Sequence, residues 1–375
     1  MSSEALAPPD KERFRAANHA RLAADMAERR EAFESRPAMV EIASHDHCNL
    51  RCVMCPQGYD MPHHRMPPGR LEAICHDLFP FAETVLPSAG GEPLLADMDT
   101  ILALARRYLV DVHLITNATL LTEERFREMA DRLSVIEISI DSPDRDRYER
   151  IRLGASFDRV IANVAAAARL EERRDVEMVA NFVLMRDNVE DLPRMVFLAA
   201  DLGLDTLNVM RHVREVAGAE RFDPESAYAD EEIAAYVEEA VVAARSNRIN
   251  LHLNLASPRY LLFNGRTFRR QRWQERIGFM HGANHAFCYS AAASVRVTPA
   301  GDVFPCCIGP PDLRMGNLFT ERFEDVWNCE NYRSLRREMF SGRWRRSCSA
   351  CPIRHIVTQD PERTLRESAL PAAPR

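Results

Sequence analysis

Residues 46–57 read DHCNLRCVMCPQ and place three cysteines, Cys48, Cys52 and Cys55, within eight positions. A metal site that the polypeptide closes by itself usually has four protein ligands, whereas this loop offers three. Iron–sulfur clusters take about one cysteine per iron. Three thiolates would therefore leave the fourth iron of a [4Fe–4S] cluster open to a ligand that is not protein. The alternative is a zinc ion held by the three cysteines and one of the two histidines just upstream.

The bulk composition is that of an ordinary globular protein. The chain has 375 residues, enough for about two domains, with 46% hydrophobic and 28% charged residues. Neither a membrane-spanning apolar run nor a secretory signal is evident, and the net charge of −7 argues against nucleic acid as the main partner. Seven of the ten cysteines lie in three tight groups, which indicates metal ligands in a reducing compartment. We therefore expect a cytoplasmic protein.

Short apolar runs alternate with longer amphipathic segments from residue 39 to about residue 214. The candidate strands are AMVEIAS, AETVLPS, DVHLITN, SVIEISID, EMVANFVL and DTLNVMR. Six strands alternating with helices predict an α/β fold, a partial (β/α)6 barrel resembling a TIM barrel. Chemistry in such folds gathers at the C-terminal ends of the strands. The cysteine loop, AGGEP, TNA and SIDS each fall at the end of a successive strand.

The order CNLRCVMC, then AGGEP after the next strand, resembles the radical S-adenosylmethionine (SAM) superfamily over about residues 38–215. In that family the open iron chelates SAM, and an electron from the reduced cluster yields a 5′-deoxyadenosyl radical that abstracts hydrogen from the substrate. The resemblance implies a SAM-binding [4Fe–4S] cluster on Cys48, Cys52 and Cys55. It also implies an external electron donor such as flavodoxin or ferredoxin.

The resemblance further implies which residues bind SAM. Gly90, Gly91 and Glu92 match the GGEP motif, whose backbone and carboxylate receive the SAM ammonium. Met54 occupies the position that packs near adenine, although the side chain could equally fill core.

Polar residues at the ends of the third and fourth strands complete the expected SAM site. Asn117 follows the third strand, and Ser139 and Asp141 end the fourth, where the family places ribose contacts. Arg152 matches the arginine that pairs with the SAM carboxylate. From the residues alone, Arg152 could instead be a surface charge, and Asp141 could cap the helix that begins near Pro143.

A second group of cysteines lies near the C-terminal end. Cys288 and Cys306 flank a predicted hairpin, and Cys348 and Cys351 form a C-x2-C pair. Four such cysteines suit zinc or a cluster equally well. The arrangement resembles the twitch domain, a shortened SPASM domain, which implies one auxiliary [4Fe–4S] cluster on these four residues. No cysteine follows Cys351, so no second auxiliary cluster is expected.

Other residues of this region have more than one interpretation. Cys307 and Cys329 could each be a spare thiol, a substitute ligand or a hydrogen-atom donor. The stretch MGNLFTERFEDVWNCENYRSLRREM predicts one amphipathic helix after a Gly-Asn turn, with Phe323, Val326 and Trp327 in the core.

The predicted domain organisation follows from these patterns. It comprises an N-terminal helical extension (1–37), a radical SAM partial barrel (38–225), a connector completing the barrel (226–286), a twitch/SPASM domain (287–356) and a tail (357–375).

The expected reaction is a two-electron oxidation. A fully ligated auxiliary cluster can accept an electron, and a substrate radical that loses an electron and a proton turns an alcohol into a ketone. The cysteine arrangement resembles that of twitch enzymes such as 2-deoxy-scyllo-inosamine dehydrogenase. We therefore expect dehydrogenation of a sugar-like or aminocyclitol small molecule in natural-product biosynthesis.

Three alternatives remain, together with several candidates for a base. The first is an epimerase with Cys307 or Cys329 as hydrogen donor, the second a peptide or protein maturase, and the third a zinc-stabilised binding protein. A residue that removes the substrate proton should lie on the late strands. The candidates are Asn208, Arg211, His212, His252 and Tyr289.

Overall fold

The computed structural model describes residues 8–55, 63–88, 90–211, 230–254, 288–307, 309–349 and 351. The chain divides into two compact units. Of the described residues, the first unit contains 8–47, 63–88, 90–114, 288–307, 309–349 and 351, and the second contains 48–55, 115–211 and 230–254. In the described ranges, no helix is long and apolar enough to cross a membrane.

Helices and strands alternate through most of the chain. In chain order they are α1 (Pro8–Ala27), β1 (Met39–Ile42), α2 (Arg70–Leu78), β2 (Thr84–Leu86), α3 (Met98–Tyr108), β3 (Asp111–Thr116), α4 (Glu123–Met129), β4 (Leu133–Ser139), α5 (Arg145–Ile151), α6 (Phe157–Ala168), β5 (Glu177–Leu184), α7 (Leu192–Asp201), β6 (Thr206–Arg211), α8 (Asp230–Asn247), β7 (Asn250–Asn254), α9 (Tyr289–Ala293), β8 (Ser294–Val297), β9 (Asp302–Phe304), β10 (Gly316–Asn317), α10 (Phe323–Trp327), α11 (Glu330–Phe340) and α12 (Arg346–Ser349). The six predicted strands correspond to β1–β6, and the predicted α/β fold with a parallel sheet is confirmed.

Strand β1 is central in the first unit. It pairs in parallel with β2 on one side, Val40 opposite Val85, and with β8 on the other, Val40 opposite Val295. Beyond β2 the sheet continues in parallel to β3, and beyond β8 it continues antiparallel through β9 to β10. All four residues of β1 are buried, as expected for a strand whose sheet is covered on both faces. The predicted hairpin is therefore β8–β9, and it joins the sheet of β1.

The second unit contains the parallel strands β4, β5, β6 and β7, paired in that order. Six of the eight residues of β5 are buried. Helices α7 and α8, which follow β5 and β6, pack against each other. This alternation of buried strands and covering helices is what the sequence pattern predicted.

Two basic side chains of helix α1, Lys11 and Arg15, attach it to the rest of the first unit. Lys11 Nζ donates to the carbonyl of Phe79 and, at 2.9 Å, to that of Pro80, just past the end of α2. Arg15 donates to the carbonyl of Leu109, the residue that caps α3. Carbonyls at helix C-termini carry partial negative charge, so each cation stabilises a helix end while it anchors α1.

The predicted helix over MGNLFTERFEDVWNCENYRSLRREM is wrong in two respects. Gly316 and Asn317 form β10 rather than a turn, and the helix is divided into α10 and α11. The Asn328 side chain accepts from Phe33 N at 2.8 Å and donates to Phe33 O at 3.0 Å. These bonds to a segment almost three hundred residues away hold Asn328 outside helical geometry, and Cys329 then begins α11 as its N-cap. Phe323, Val326 and Trp327 are buried, as predicted.

Arg336 of α11 is fully buried among aromatic rings. Its guanidinium carbon lies 3.9 Å from the ring centre of Phe33, 4.6 Å from that of Trp327 and 4.8 Å from that of Tyr332. Its Nη1 also donates to the carbonyl of Glu31 at 3.1 Å. Cation–π contacts of this kind strengthen when water is excluded. Residues 31–36 are thus held against α10 and α11.

Candidate active site

The three cysteines lie on a loop of the second unit, and main-chain hydrogen bonds to residues at the end of α5 hold this loop in place. Arg51 N donates to Leu153 O at 2.9 Å and Val53 N to Ile151 O at 3.0 Å, so the loop runs beside the end of α5. Further along the loop, Cys55 N donates to Cys52 O at 3.0 Å and closes a tight turn. These main-chain hydrogen bonds fix the path of the loop over residues 51–55.

An apolar cluster supports the underside of this loop. Leu50, Cys52 and Met54 pack with Ile151 and Met185, and Cys48 and Cys55 lie against the same group, half-buried. Burial raises the pKa of the Cys52 thiol, and the nearby Arg152 guanidinium opposes that effect. A buried thiol of this kind becomes a thiolate when it binds iron. Met54 is buried within the loop's own cluster, and its contact with adenine stays a prediction.

N–H groups approach the sulfurs of Cys48 and Cys52 in this loop. Leu50 N lies 3.4 Å from Cys48 Sγ, and Asn117 Nδ2 lies 3.8 Å from the same sulfur. Arg152 Nη1 lies 3.7 Å from Cys52 Sγ. Asn117 and Arg152, two predicted site residues from distant parts of the sequence, are thus brought to the cysteines.

Asp141 and Arg152 form an ion pair, with 2.7 Å between Arg152 Nε and Asp141 Oδ2. The Asp141 carboxylate also accepts from Val183 N at 2.8 Å, and the residue has no exposed surface. Burial by itself would lower the pKa of Arg152, but Asp141 and Cys52 together raise it above its usual value. The side chain is therefore a permanent buried cation. The alternative interpretations of both residues are wrong, because Arg152 is not on the surface and Asp144, rather than Asp141, caps α5.

The Gly-Gly-Glu segment lies in the first unit, against the backbone just before the cysteines. A Cβ on Gly91 would lie 2.3 Å from His47 O and 2.6 Å from Asp46 C, so no other residue fits. Gly90 has a φ of 105°, which also favours glycine. Glu92 N donates to His47 O at 2.8 Å, and the Glu92 carboxylate accepts from Leu94 N at 3.2 Å. The motif is thereby tied to His47, the residue that precedes Cys48.

The four C-terminal cysteines line one cavity of the first unit. Cys288, Cys306, Cys348 and Cys351 are joined there by mainly apolar side chains. Burial raises the pKa of Cys288 to about 12 and that of Cys348 to about 11. The additional walls of the cavity include Leu313, Leu335, Met339 and Trp344. Four thiols that line one mainly apolar cavity are the donor set that a fully ligated [4Fe–4S] cluster needs.

The other two cysteines of this region stand apart from that cavity lining. Cys307 is exposed, and its carbonyl accepts from the Arg296 guanidinium. Cys329 is half-buried at the start of α11, and its thiol donates to Met315 O at 3.4 Å. Their roles as hydrogen donors stay predictions. Among the described residues, no three His, Cys, Asp or Glu side chains are grouped closely enough to hold a single metal ion.

A buried row of polar side chains crosses the strands of the second unit. Asn181 Nδ2 donates to Glu137 Oε2 at 2.6 Å, and Asn208 Nδ2 donates to Asn181 Oδ1 at 2.7 Å. Asn208 lies directly opposite His252 on β7. Each of the four is at most 6% exposed. We call Glu137, Asn181, Asn208 and His252 the polar row.

Two members of the polar row, Glu137 and Asn181, were not singled out from the sequence. The signal that could have found them is a carboxylate and an amide within strands that otherwise read as apolar runs. Ser139 lies opposite Asn181 at the end of β4. Of the other base candidates, Arg211 ends β6 and Tyr289 begins α9, while His212 lies outside the described residues.

Two family models match the chain. One, described as the radical SAM superfamily, matches residues 42–199, and the other, described as an iron–sulfur cluster-binding SPASM domain, matches residues 288–352. The chain combines a radical SAM domain with a SPASM domain. Its cofactors are therefore SAM, the [4Fe–4S] cluster of the radical SAM domain and auxiliary iron–sulfur clusters of the SPASM domain. The zinc alternatives lose their support.

Relatives of known name are distant. A PqqA peptide cyclase of Gluconobacter oxydans is 27% identical over 245 residues, 64% of this chain and 62% of that protein. A GTP 3′,8-cyclase of Clostridium botulinum is 25% identical over 293 residues, 72% of this chain and 82% of that protein. The crystal structure of Streptococcus suis SuiB bound to S-adenosylmethionine aligns with a TM-score of 0.63 at 18% identity, covering 84% of this chain and 71% of SuiB. The last likeness shows the fold alone.

Proposed function

We propose that this chain is a radical SAM enzyme that modifies a peptide or protein substrate by an oxidative radical reaction. The observation that carries the proposal is the pair of thiol sets, three on a braced loop and four in one cavity. When bound, the first cluster with SAM supplies a 5′-deoxyadenosyl radical, and the auxiliary cluster supplies an electron acceptor.

The residues of the chain divide the work of holding these groups. Cys48, Cys52 and Cys55 would bind three irons and leave one for SAM. Glu92, which is 3% exposed, would place a carboxylate for the SAM ammonium. Ser139 would offer a hydroxyl toward the ribose. The four cavity thiols would hold the auxiliary cluster away from water.

The polar row is the best candidate for binding substrate and accepting its proton. Its amides and carboxylate are already oriented by hydrogen bonds to one another, so they cost little to organise. Glu137 supplies the carboxylate of the polar row, and Asn181 holds one of its oxygens in place. We assign Glu137 the role of proton acceptor after hydrogen abstraction, with His252 as the second candidate.

The substrate class rests on the relatives. The PqqA peptide cyclases of Gluconobacter oxydans and Streptomyces rochei, 27% and 28% identical, support a peptide substrate. Because the chain spans 62% of the Gluconobacter protein, the whole activity of that protein does not transfer directly. Dehydrogenation of an aminocyclitol, which we expected from the cysteine arrangement, is the second candidate, since the four-thiol cavity would serve either reaction equally well.

The test is anaerobic reconstitution followed by co-expression with short open reading frames that neighbour the gene. We expect about eight irons per chain from two clusters, SAM cleavage after reduction, and a peptide that becomes two hydrogens lighter. The variant with Cys48, Cys52 and Cys55 all replaced by alanine should cleave no SAM. A peptide of unchanged mass that takes up solvent deuterium would instead indicate epimerisation, and ketone formation on an added aminocyclitol would indicate the dehydrogenase.

A further inference from the structure

N–H donors approach the sulfurs of Cys48 and Cys52 in the cysteine loop. Two donors approach Cys48, the amide of Leu50 at 3.4 Å and that of Asn117 at 3.8 Å. One donor, the Arg152 guanidinium, approaches Cys52 at 3.7 Å. Such separations suit sulfur, whose large radius lengthens its hydrogen bonds. Two of these donors are side chains, so their effect can be removed by substitution without altering the loop.

Arg152 cannot easily turn away from Cys52. Its Nε is held at 2.7 Å by Asp141, which is itself held by Val183 N, and Asn188 Nδ2 donates to the Asp141 carbonyl at 2.8 Å. Arg152 is 7% exposed and Asp141 has no exposed surface. A guanidinium locked on one edge presents its other N–H groups in fixed directions. The contact with Cys52 is therefore built into the unit.

Asn117 is oriented just as firmly. Its Oδ1 accepts from Thr119 N at 3.0 Å, which places the amide nitrogen on the opposite side. Nδ2 then donates to Asn49 Oδ1 at 2.9 Å and reaches Cys48 Sγ. Because the Thr119 N–H can only donate, this hydrogen bond also fixes which end of the amide is oxygen.

Donors aimed at ligand sulfurs alter the energetics of an iron–sulfur cluster. Reduction adds one electron, and part of that charge spreads onto the thiolates, where N–H groups and a nearby cation stabilise it. The effect is strong here because both side chains are buried and poorly screened by solvent. Stabilising the reduced form raises the reduction potential, which makes it easier for an external one-electron donor to load the cluster.

We propose that Arg152 and Asn117 are positioning residues that raise the reduction potential of the cluster on Cys48, Cys52 and Cys55 through hydrogen bonds to the sulfurs. This role rests on the proposed assignment of those cysteines as ligands. It differs from the predicted contact between Arg152 and the SAM carboxylate, since it acts before SAM binds and requires no SAM.

The test is a redox titration of the reconstituted full-length protein, followed by electron paramagnetic resonance. The loop cluster is recognised as the signal that is missing when Cys48, Cys52 and Cys55 are all replaced by alanine, and the auxiliary cluster serves as an internal reference. Two variants remove one donor each. The double change Asp141→Asn with Arg152→Met removes the guanidinium without leaving a buried lone carboxylate, and Asn117→Ser keeps a hydroxyl acceptor for Thr119 N while removing the amide donor to Cys48 without adding charge.

In each variant we expect the ratio of reduced to oxidised loop cluster, at the wild-type midpoint potential, to fall about tenfold, a shift of about 59 mV for one electron. The auxiliary midpoint should not move. The matched control is Asp191→Asn with Arg147→Met, since Arg147 also pairs with a buried carboxylate, at 2.9 Å, in the same unit. It should leave both midpoints unchanged.

Unchanged loop midpoints in both variants, with the cluster intact, would overturn the inference, as would an equal shift in the control. If the double variant fails to retain iron, the Asn117→Ser result decides alone. Failure of the proposed function looks different, because the alanine variant of all three loop cysteines would then contain as much iron as the wild type.

Discussion

Replacing Gly91 with alanine should damage the site through sterics alone. The Cβ would lie 2.3 Å from His47 O, which is 0.7 Å shorter than the 3.0 Å that a Cβ keeps from other heavy atoms in real structures. Both nearby groups are backbone, 2.3 Å and 2.6 Å from the new atom, so neither can swing aside as a side chain would. Overpacking of this kind typically costs about 1–3 kcal/mol. We expect Gly91→Ala to lower the free energy of unfolding by that amount.

The same displacement should affect catalysis more than stability. To relieve the clash, the backbone must separate Glu92 N from His47 O, a 2.8 Å hydrogen bond, and so move the expected SAM-binding carboxylate. A shift near 1 Å at a reacting site can cost about 100-fold in rate. The assays are urea unfolding under anaerobic conditions, iron content, and 5′-deoxyadenosine formation. Iron content should remain normal while SAM cleavage falls.

Gly69→Ala is the control. An added Cβ at Gly69 would have no atom within 4 Å, so only the residue's φ of +75° opposes the substitution. It should cost about 1–2 kcal/mol for the left-handed backbone and leave SAM cleavage unchanged. A Gly91→Ala protein that cleaves SAM at the wild-type rate would refute the steric reasoning.

Three further predictions concern parts of the first unit. Arg336→Met should lower the free energy of unfolding by about 3 kcal/mol, because it removes the buried cation–π contacts and a hydrogen bond to a carbonyl. Arg337→Met, on the exposed side of α11, is the control and should change the free energy of unfolding in urea little. Equal effects of the two variants would show that the buried contacts of Arg336 do not stabilise the fold. Burial lowers the pKa of Lys11 to about 7, so above pH 7 the unfolded chain binds more protons than the folded one, and stability should rise by roughly 2 kcal/mol between about pH 7 and pH 9. Lys11→Met should abolish that rise in urea titrations, and a slope that persists would exclude Lys11 as its source. Cys348→Ala should remove about four irons while SAM binding, measured by calorimetry, persists; loss of all iron would argue against two separate sites.

Local pattern was sufficient for much of the fold. Buried parallel strands such as EMVANFVL are nearly continuous apolar runs, so their positions could be read directly, and the Cys48–Cys55 spacing located the loop. What failed depended on distant partners. The break between α10 and α11 arises from bonds between Asn328 and Phe33, and nothing within the helical pattern announces it.

The site residues show the same division. Gly91 was expected to admit a ligand, yet its immediate constraint is the backbone of Asp46 and His47. The pairing of Arg152 with Asp141 joins two residues that a sequence pattern treats separately. Glu137 lies within a strand whose apolar neighbours masked it, because a single polar residue in a buried strand gives no periodic signal.

The docking of residues 31–36 on α10 and α11 has a consequence for anyone wishing to transplant the auxiliary module. Trp327 Nε1 donates to Ser35 O at 2.7 Å, a few residues before β1, and β1 itself is zipped to β8. A protein that ends before residue 288 would lack β8, the neighbour of β1 on one side. It would also lack α10 and α11, against which residues 31–36 pack. A chimera would therefore need residues 31–42 together with the C-terminal module, because the two pack as one unit although most of the sequence separates them.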